Sequence, residues 1–521
     1  MRVLLVHAEF PVTYWGFQYS LPLMKKGAVL PPLGLASLAA ILPRSWELRL
    51  VDANVAPVQD EDLLWADAVL VGGMLVQAPS MQAVVRRAKQ LGKKTMVGGP
   101  AATASPALFS EADHVFQAEA EGRTAAISAA LERGGPKLLS PPPGARPDLA
   151  GVPPPRYDLL DLSRYRSAAV QTSRGCPFTC EFCDIVATFG NVPRVKTPAQ
   201  VLAELDSLLA LGWRGTVFIV DDNFIGNKKA VRLLLPHIER WQEAHDRPFT
   251  FYTEASVNLA ADPALLAAMI RAGFDSVFLG IETPSPETLR ATHKTQNAAV
   301  DLSAAVETIT RAGLEVMGGF IVGFDGDTKE TFAAQRDFIR ASPIPLAMVG
   351  VLTALPGTDL WARLAREGRL LGDCSGDQFG RPNFVTAMGE ETLLSGYARL
   401  MRDLYTADAY YARAEAVIDR IGIPESSAGG APSDYLIALR AVARVGLGDR
   451  RRHFWRLAAR AGARHPSLVR RAIALAVQGE HMIRYTAEHV LPALDASLAQ
   501  ARKTRPKPDR VALPILAPAA G

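Results

Sequence analysis

Short apolar runs alternate with helical periodicity in the N-terminal part of the chain. Runs rich in leucine, valine and methionine fall at 3–6, 48–51, 68–71 and 95–97, and helical patterns lie between them. Continuous apolar strands that alternate with helices are typical of a parallel sheet covered on both faces. The pattern therefore predicts a doubly wound α/β domain over residues 1–135.

Two pairs of glycines follow the third and fourth of these predicted strands, namely Gly72, Gly73, Gly98 and Gly99. Open parallel sheets bind ligands beyond the carboxyl ends of their strands, and glycine lets a backbone approach a ligand closely. We therefore expect a ligand site at this edge of the sheet. The G-x-G-x-x-G fingerprint is absent, so a nicotinamide or flavin dinucleotide is not indicated.

A proline-rich segment separates this domain from a second run of alternating strands and helices. Prolines at 141–143 and 153–155 favour extended backbone, so residues 136–165 are predicted to form a linker. Six strand patterns follow between 166 and 370, which is fewer than the eight units of a closed barrel. The sequence therefore predicts an open, partial (β/α)6 barrel. Its strands are expected at 167–172, 215–222, 249–255, 276–282, 315–323 and 346–352.

The last part of the chain, residues 371–500, has helical periodicity and no strand pattern, and the tail 501–521 is predicted to be disordered. Many arginines and one acid, Asp449, lie in the middle of these helices. They are interpreted as a solvated basic face on a helical cap, or as an interfacial helix pair that contacts anionic membrane. Nucleic acid is a third alternative, which no recognition motif supports. The arginines are Arg440, Arg444, Arg450, Arg451, Arg452, Arg456, Arg460, Arg464, Arg470 and Arg471.

The composition is that of a soluble globular protein, with 49% hydrophobic and 21% charged residues. A chain of 521 residues is expected to form two or three domains. A net charge of +4 is too near neutral to indicate a nucleic-acid partner. Only four cysteines are present, so a disulfide framework is excluded, and neither a signal peptide nor a membrane-spanning run is predicted. We expect a cytoplasmic protein, with peripheral contact at the inner membrane face as an extension of that expectation.

Three of the four cysteines, Cys176, Cys180 and Cys183, fall within one short stretch. A structural zinc site needs four protein ligands, and neither Cys374 nor a histidine lies at a suitable spacing. Four-iron clusters are held by cysteine thiolates, and three thiolates leave one iron open for a substrate or cofactor. The stretch therefore predicts a [4Fe-4S] cluster, with three buried structural cysteines as the alternative.

Acidic side chains recur where the predicted barrel strands end. Asp221 and Asp222 end the second strand, Glu254 lies late in the third, and Glu282 closes the fourth. Carboxylates after buried strands are costly unless they are solvated or paired, and barrel chemistry gathers at the carboxyl ends of strands. These residues are candidate site residues, and each alone could instead be a helix N-cap or a surface ion pair.

The spacing C-x3-C-x2-C, with the aromatic Phe182 before the last cysteine, resembles the radical S-adenosylmethionine (SAM) superfamily. In that superfamily the open iron binds the amino and carboxylate groups of SAM, and the cluster supplies an electron that cleaves SAM to a deoxyadenosyl radical. An electron donor such as flavodoxin or ferredoxin is implied. The SAM contacts that the resemblance implies are Phe182, Asp221, Asp222, Glu254, Glu282 and, near the adenine, Gly323.

The N-terminal part resembles the cobalamin-binding domain that precedes the radical SAM core in one subclass, through residues 31–35, 51–52 and 97–100. The D-x-H-x-x-G motif, which gives cobalt a histidine ligand in many cobalamin proteins, is absent. The resemblance therefore implies cobalamin bound base-off, without a protein histidine ligand. The cobalamin contacts that it implies are Gly72, Gly73, Gly98 and Gly99.

Within this subclass the chain is most similar to the hopanoid C-2 methylase branch, through residues 16–19, 176–184, 192–198 and 220–227. Members of that branch methylate unactivated carbons, with one SAM yielding the radical and a second supplying the methyl group through cobalamin. The resemblance implies a C-methyltransferase for a lipid-like or other secondary-metabolite substrate. Two alternatives stay open: a radical SAM enzyme that has lost cobalamin and catalyses a cyclisation or oxidation, and a non-catalytic corrinoid- or lipid-binding protein.

Overall fold

The computed structural model describes residues 1–142, 144–423 and 432–503, and the side chains of 432–435 are outside this description. The predicted disordered tail, 501–521, lies outside the described residues from 504 onward. Its first three residues continue the last helix, which ends at Lys503.

The N-terminal part is a six-stranded, wholly parallel sheet with the strand order β2-β1-β3-β4-β5-β6. This confirms the doubly wound fold. The last strand, a two-residue pairing with β5, falls inside the predicted linker, so the sheet reaches further along the chain than the proline pattern suggests. The strands are β1 Arg2–His7, β2 Glu47–Asp52, β3 Ala68–Gly72, β4 Lys94–Gly98, β5 His114–Phe116 and β6 Leu138–Leu139. The helices are α1 Leu21–Met24, α2 Leu33–Ile41, α3 Asp60–Trp65, α4 Ala78–Gln90, α5 Pro100–Ala104 and α6 Thr124–Arg133.

The central part is a second six-stranded parallel sheet with the order β14-β13-β12-β11-β10-β7, which confirms the open partial barrel. A short antiparallel pair, β8 with β9, frames the cysteine stretch. The strands are β7 Ala168–Val170, β8 Ser173–Arg174, β9 Arg194–Val195, β10 Gly215–Ile219, β11 Phe249–Ala255, β12 Phe274–Glu282, β13 Glu315–Val322 and β14 Ala347–Val351. The helices are α7 Ile185–Phe189, α8 Pro198–Ala210, α9 Lys228–Ala244, α10 Pro263–Ala272, α11 Pro286–Ala291, α12 Thr295–Ala298, α13 Leu302–Ala312, α14 Lys329–Ala341 and α15 Asp359–Arg366.

The barrel helices begin where the sequence places capping residues. The Thr197 hydroxyl accepts a hydrogen bond from the Gln200 N–H at the start of α8, and Pro198 follows as the first helical residue. Asp262 caps α10 and Asp301 caps α13 in the same way. Such caps satisfy backbone N–H groups that have no partner within the helix, and each contributes about 1 kcal/mol.

Burial alternates along the barrel strands and separates an outer face from an inner one. In β11, Phe249 is buried against Trp241 of α9, with ring centroids 5.3 Å apart, so its side of the strand faces the helices. Tyr252, on the other face of the same strand, is half-buried. Its ring stacks on that of Phe218 of β10, with ring centroids 4.5 Å apart. Since successive strand residues point to opposite faces, Tyr252 and Phe218 line the barrel interior.

The C-terminal helices cover the edge strand β14 of the barrel. The hydroxyls of Tyr397 and Tyr405 donate hydrogen bonds to the carbonyls of Val349 and Ala347. These tyrosines cover backbone that would otherwise be an exposed sheet edge. The helices are α16 Glu390–Leu404, α17 Ala407–Arg420, α18 Pro432–Ala441, α19 Arg451–Arg464, α20 Leu468–Tyr485 and α21 Leu491–Lys503. A π-helical turn follows α18 at Val442–Gly446, and another follows α20 at Thr486–Val490.

The N-terminal segment before α1 is held by the C-terminal helices. Tyr14 is buried and its hydroxyl hydrogen-bonds to Thr486, while Ser20 donates to the Val477 carbonyl at 2.6 Å. The three parts of the chain are therefore packed on one another. Among the described residues, no helix combines the length and apolar character that crossing a membrane requires.

Candidate functional site

The cysteine stretch is a loop between β8 and β9, and a glycine makes its first turn possible. Gly175 has φ +96, and a Cβ on it would lie 2.8 Å from the Gly190 carbonyl oxygen. The Cys176 N–H donates to that same carbonyl at 3.3 Å. Only glycine fits this conformation and this close approach, so the start of the loop is fixed immediately before its first cysteine.

The three cysteines are half-buried, whereas Cys374 is buried. Burial raises the pKa of the Cys183 thiol to about 12 and also raises that of Cys180. Amide groups approach two of the sulfurs: Asn223 Nδ2 lies 3.8 Å from Cys176 Sγ, and Gln296 Nε2 lies 3.8 Å from Cys180 Sγ. Such donors would stabilise thiolates, and hydrogen bonds to cysteine sulfurs tune iron–sulfur clusters.

The donor set fits an iron–sulfur cluster better than a single metal ion. Within the part of the chain that the structure describes, no three His, Cys, Asp or Glu side chains converge on one ion. A four-iron cluster does not need that convergence, because its thiolates bind different irons. The residues that would hold such a cluster are Cys176, Cys180 and Cys183.

Asp221 anchors the chain that leads into the cysteine loop. Its Oδ1 accepts hydrogen bonds from the Thr172 and Ser173 N–H groups at 2.7 and 3.0 Å. Its Oδ2 accepts from both of their hydroxyls. Both oxygens are therefore engaged within the protein, in a fully buried position. The SAM contact of Asp221 stays a prediction, and the side chain has a structural role of its own.

Asp222 and Glu254 are two carboxyl groups at the barrel interior whose pKa values are raised. Asp222 Oδ2 accepts from the Gly175 N–H at 2.8 Å, and burial raises the pKa of Asp222 to about 6. Burial, together with the nearby carboxylates of Asp222 and Glu282, raises the pKa of Glu254 to about 7. Glu254 accepts no hydrogen bond from the described residues. It is thus a carboxyl group, late in β11, that is available to a cationic ligand.

Glu282 is paired with Lys294, a residue that the sequence did not indicate. The two side chains form a buried ion pair, and Lys294 Nζ lies 5.8 Å from the centre of the Phe182 ring. Glu282 has φ +66 at a register shift of β12, so the strand end is bent at this residue. Burial lowers the pKa of Lys294, but Glu282 and Cys180 outweigh it and the net shift is upward. A charged pair therefore lies beside the cysteine loop.

Gly323 and Asp327 lie in the loop that follows β13, near Phe182. The Asp327 Oδ2 accepts from the Gly323 and Phe324 N–H groups at 2.8 and 3.1 Å, and Gly323 has φ +107. The rings of Phe324 and Phe182 lie 5.6 Å apart. Burial raises the pKa of Asp327 to about 6. The geometry brings Gly323 and Phe182 to the same region, as their predicted SAM contacts require, without testing those contacts.

The glycines of the N-terminal sheet have two different surroundings. A Cβ on Gly72 would lie 3.0 Å from the Leu35 side chain, and one on Gly73 would lie 3.0 Å from Gln77 and Met81. Gly72 and Gly73 therefore already have packing reasons to be glycine. A Cβ on Gly98 would have no neighbour nearer than 3.8 Å, and Gly99 has φ +88. Their cobalamin contacts stay a prediction.

Buried ion pairs join the carboxyl edge of the N-terminal sheet to the cysteine loop. Glu119 and Glu121 follow β5, and Arg174 donates to each of them at 2.7 Å. Arg194 of β9 donates to Glu119 at 2.8 Å. The segment before the second sheet also contacts the first sheet, since the Tyr165 hydroxyl donates to Asp52 at the end of β2 at 3.0 Å. The two predicted cofactor regions therefore face each other.

The inner surface of the barrel is aromatic and apolar. Phe218, Tyr252 and Phe278 line it, and Trp15 from the loop after β1 packs edge-on against Phe278 with ring centroids 4.9 Å apart. A Cβ on Gly319 would lie 2.8 Å from the Phe278 ring, so the absent side chain leaves room for that ring. An apolar space with a few acidic groups at its edge suits a largely apolar ligand.

Comparison with known proteins gives three family matches along the chain. Residues 21–128 match the B12 binding domain, residues 170–339 the Radical SAM superfamily, and residues 358–491 a domain of unknown function. The matched ranges cover most of the first sheet, most of the barrel and most of the helical part, in that order.

The full-length relatives include two methyltransferases. An uncharacterized methyltransferase of Synechocystis sp. is 42% identical over 93% of this chain and 92% of its own length. The hopanoid C-2 methylase of Rhodopseudomonas palustris is 37% identical over 94% of each chain.

Among solved structures, the radical S-adenosylmethionine methyltransferase TsrM from Kitasatospora setae, with cobalamin and a [4Fe-4S] cluster bound, covers 92% of this chain and 98% of its own at 17% identity and a TM-score of 0.56. At that identity the likeness shows the fold. Family assignment rests on the identity and coverage of the sequence relatives. The chain belongs to the cobalamin-dependent radical SAM methyltransferase family, with cobalamin, SAM and a [4Fe-4S] cluster as its cofactors.

Proposed function

We propose that this protein methylates an unactivated carbon of an apolar, lipid-like substrate that lies inside the barrel. The observation that carries the substrate class is the lining of Phe218, Tyr252 and Phe278, together with Trp15 at its edge. Flat aromatic and apolar walls favour a ligand with a large apolar surface. The name of the hopanoid C-2 methylase relative supports the same class.

The SAM site is proposed at the strand ends beside the cysteine loop. When bound, the cluster would supply the electron for SAM cleavage, and cobalamin would carry a methyl group. Glu254 and Asp222 would attract the cationic ammonium and sulfonium groups of SAM, while the Glu282–Lys294 pair keeps a charged group beside Phe182. Asp221 is proposed as a positioning residue, since its oxygens bind Thr172 and Ser173.

Cobalamin is proposed to bind where the carboxyl edge of the N-terminal sheet faces the barrel. The buried Arg174–Glu119 and Arg174–Glu121 pairs would keep that edge in register with the cysteine loop. Holding two reacting groups at a fixed separation removes the entropy cost of bringing them together. We further propose a cytoplasmic location, flavodoxin or ferredoxin as electron donor, and peripheral contact with the membrane that stores the substrate.

The test is a product analysis of the anaerobically reconstituted full chain, given hydroxocobalamin, methyl-deuterated SAM, dithionite and a bacterial lipid extract. We expect 5'-deoxyadenosine, S-adenosylhomocysteine and deuterated methyl groups in the lipid fraction. S-adenosylhomocysteine formed without reductant would indicate polar methyl transfer instead. Deoxyadenosine without S-adenosylhomocysteine would favour the alternative of a non-methylating radical SAM enzyme.

A further inference from the structure

One side of α18 and of the π-helical turn after it presents leucines to solvent. Leu436 is 53% exposed, Leu439 is 67% exposed and Leu447 is 70% exposed. Ala443, which is also exposed, falls between them at helical spacing, so the four residues form one stripe. A helix on the surface of a globular protein normally has polar residues on its outward side.

The opposite side of the same segment is already packed. Ala441, Val445 and Gly446 are buried, and Arg440 donates to the Leu23 carbonyl at 3.3 Å. The leucine stripe is therefore a second apolar side of the segment, additional to the side that belongs to the core. An exposed apolar stripe of this kind marks an interaction surface.

Trp455 of α19 extends the stripe. Trp455 is 50% exposed, and a Cβ on Gly446 would lie 3.6 Å from its ring, so the ring packs beside the residue that precedes Leu447 in the chain. Its Nε1 donates to the Gly446 carbonyl at 2.9 Å. The indole N–H thus has a hydrogen-bond acceptor within the protein, and the exposed part of Trp455 adds apolar surface.

Several arginines of these helices are already bound to acidic side chains or backbone carbonyls of the protein. Arg450, Arg456 and Arg460 form ion pairs with Glu480, Glu415 and Asp419 at 2.5 to 2.6 Å. Two more are engaged: Arg464 with backbone carbonyls of α17 and its end, and Arg471 with Glu315.

Three arginines of the same run, Arg444, Arg451 and Arg452, are exposed. None of these three makes an ion pair with the described part of the chain. They flank Leu447 in sequence, on either side of the turn that carries it.

We propose that Leu436, Leu439, Leu447, Trp455, Arg444, Arg451 and Arg452 form a docking face for an anionic lipid membrane. Leucine and tryptophan side chains enter the boundary between headgroups and acyl chains, and unpaired arginines bind lipid phosphates. The charge of the face selects this occupant, since a purely apolar protein partner would leave three arginine charges without counterparts. The inference builds on the proposed function in one respect only: a lipid-like substrate would then reach the enzyme from the membrane.

The test is flotation of the full chain with two kinds of vesicle, phosphatidylcholine alone and phosphatidylcholine with phosphatidylglycerol. We expect binding to the anionic vesicles that weakens as salt is raised. The variants Leu447→Glu and Arg444→Glu/Arg451→Glu/Arg452→Glu should each reduce that binding about tenfold or more. Leu233→Glu is the matched control, because Leu233 is 63% exposed on α9, outside the docking face. This variant should bind the anionic vesicles as strongly as the wild type does.

Three results would overturn the proposal. One is equal vesicle binding by the wild type and both docking-face variants. Another is a wild-type dimer that Leu447→Glu converts to a monomer without a change in vesicle binding, which would assign the face to a second copy. The third is vesicle binding only after residues 504–521 are removed, which would assign the face to that tail.

Flotation needs neither SAM nor reductant, so it separates this inference from the proposed function. A protein that floats but does not methylate lipid contradicts the function and supports the docking face. A protein that methylates a detergent-dispersed lipid but does not float supports the function and contradicts the docking face. Iron content and thermal midpoint of each variant, measured beside the wild type, establish that loss of binding does not come from misfolding.

Discussion

Arg174 donates a hydrogen bond to Glu119 at 2.7 Å, and this buried pair joins the cysteine loop to the N-terminal sheet. Arg174 lies just before Gly175 and Cys176, while Glu119 follows β5 at the carboxyl edge of the first sheet. The position of the cysteine loop and that of the proposed cobalamin region are therefore set by the same guanidinium group.

Replacing Arg174 with methionine should destabilise the protein by about 3 kcal/mol or more, because Glu119 and Glu121 would lose a buried partner. Burial opposes ionisation of Glu121, yet Arg174 keeps the pKa of Glu121 below its usual value. The first transition in urea unfolding, followed by circular dichroism, measures the loss. Arg456→Ala is the control, since that arginine is 53% exposed in its pair with Glu415 and its loss should cost less than about 1 kcal/mol. Equal losses in the two variants would contradict a special role for the buried pair.

The cluster prediction concerns all three cysteines of the loop. Reconstituted wild-type protein should contain about four irons and four sulfides per chain. Alanine at Cys176, Cys180 and Cys183 together should remove both the bound iron and the visible absorption. Cys374→Ala should keep the full iron content, because Cys374 lies outside the C-x3-C-x2-C stretch that is predicted to hold the cluster. Iron retained in the triple variant would show that other residues hold it.

The sequence predicted the parts of this molecule that depend on neighbouring residues. The strand runs are continuous, so β1 to β4 and β10 to β14 lie within a few residues of their predicted places. The predicted cluster ligands lie in one loop, and this prediction rests on their spacing alone. Caps such as Asp262 and Asp301 also act on residues close to them in the chain.

The remaining features depend on pairings that the sequence does not indicate. Lys294 meets Glu282 from 12 residues away, and Arg174 meets Glu119 from 55 residues away. No periodicity marks either pair, because the contacts arise only when strand ends and loops are brought together. The pairing of the basic helices could not be predicted for the same reason, since Arg456 and Arg460 form ion pairs with acids 41 residues earlier in the chain.

Glu254 should make SAM binding depend on pH near neutrality. Its pKa is raised to about 7 by burial and by Asp222 and Glu282, so it is mostly protonated below that value and ionised above it. SAM carries cationic sulfonium and ammonium groups, so its affinity should rise as pH increases from about 6 to 8. Glu254→Gln should bind SAM more weakly at pH 8 and lose most of this dependence. Isothermal titration at three pH values checks both expectations, and an unchanged pH profile in the variant would place SAM elsewhere.

The same carboxyl should affect stability in the opposite sense. A raised pKa means that the folded state binds the proton more tightly than the unfolded state, in which glutamate titrates near its usual value of about 4.3. The stabilisation is therefore complete below the unfolded pKa and is lost as pH rises through the folded pKa of about 7. Without SAM, the wild type should lose stability relative to Glu254→Gln over that range. A constant difference between the two proteins from pH 5 to pH 8 would contradict the raised pKa.

Cobalamin should bind base-off with no histidine on cobalt. His7 is the histidine whose replacement tests this prediction. His7 ends β1, beside Asp52 and Gly72 in the sheet register, at the edge where the ligand is proposed. Burial lowers the pKa of His7, so the imidazole is neutral at physiological pH, which is the form that ligates metals. The D-x-H-x-x-G motif is nevertheless absent around it.

We expect about one corrinoid per chain after growth with hydroxocobalamin, with a base-off absorption spectrum. After reduction to the cobalt(II) form, electron paramagnetic resonance should show no splitting from a nitrogen ligand, and His7→Ala should give the same spectrum. His114→Ala is the matched control, because His114 ends no strand at this edge and contacts the Pro136 carbonyl instead. A nitrogen splitting in the wild type that disappears only in His7→Ala would make His7 the lower ligand. The end of β1 would then supply the histidine that the absent motif does not.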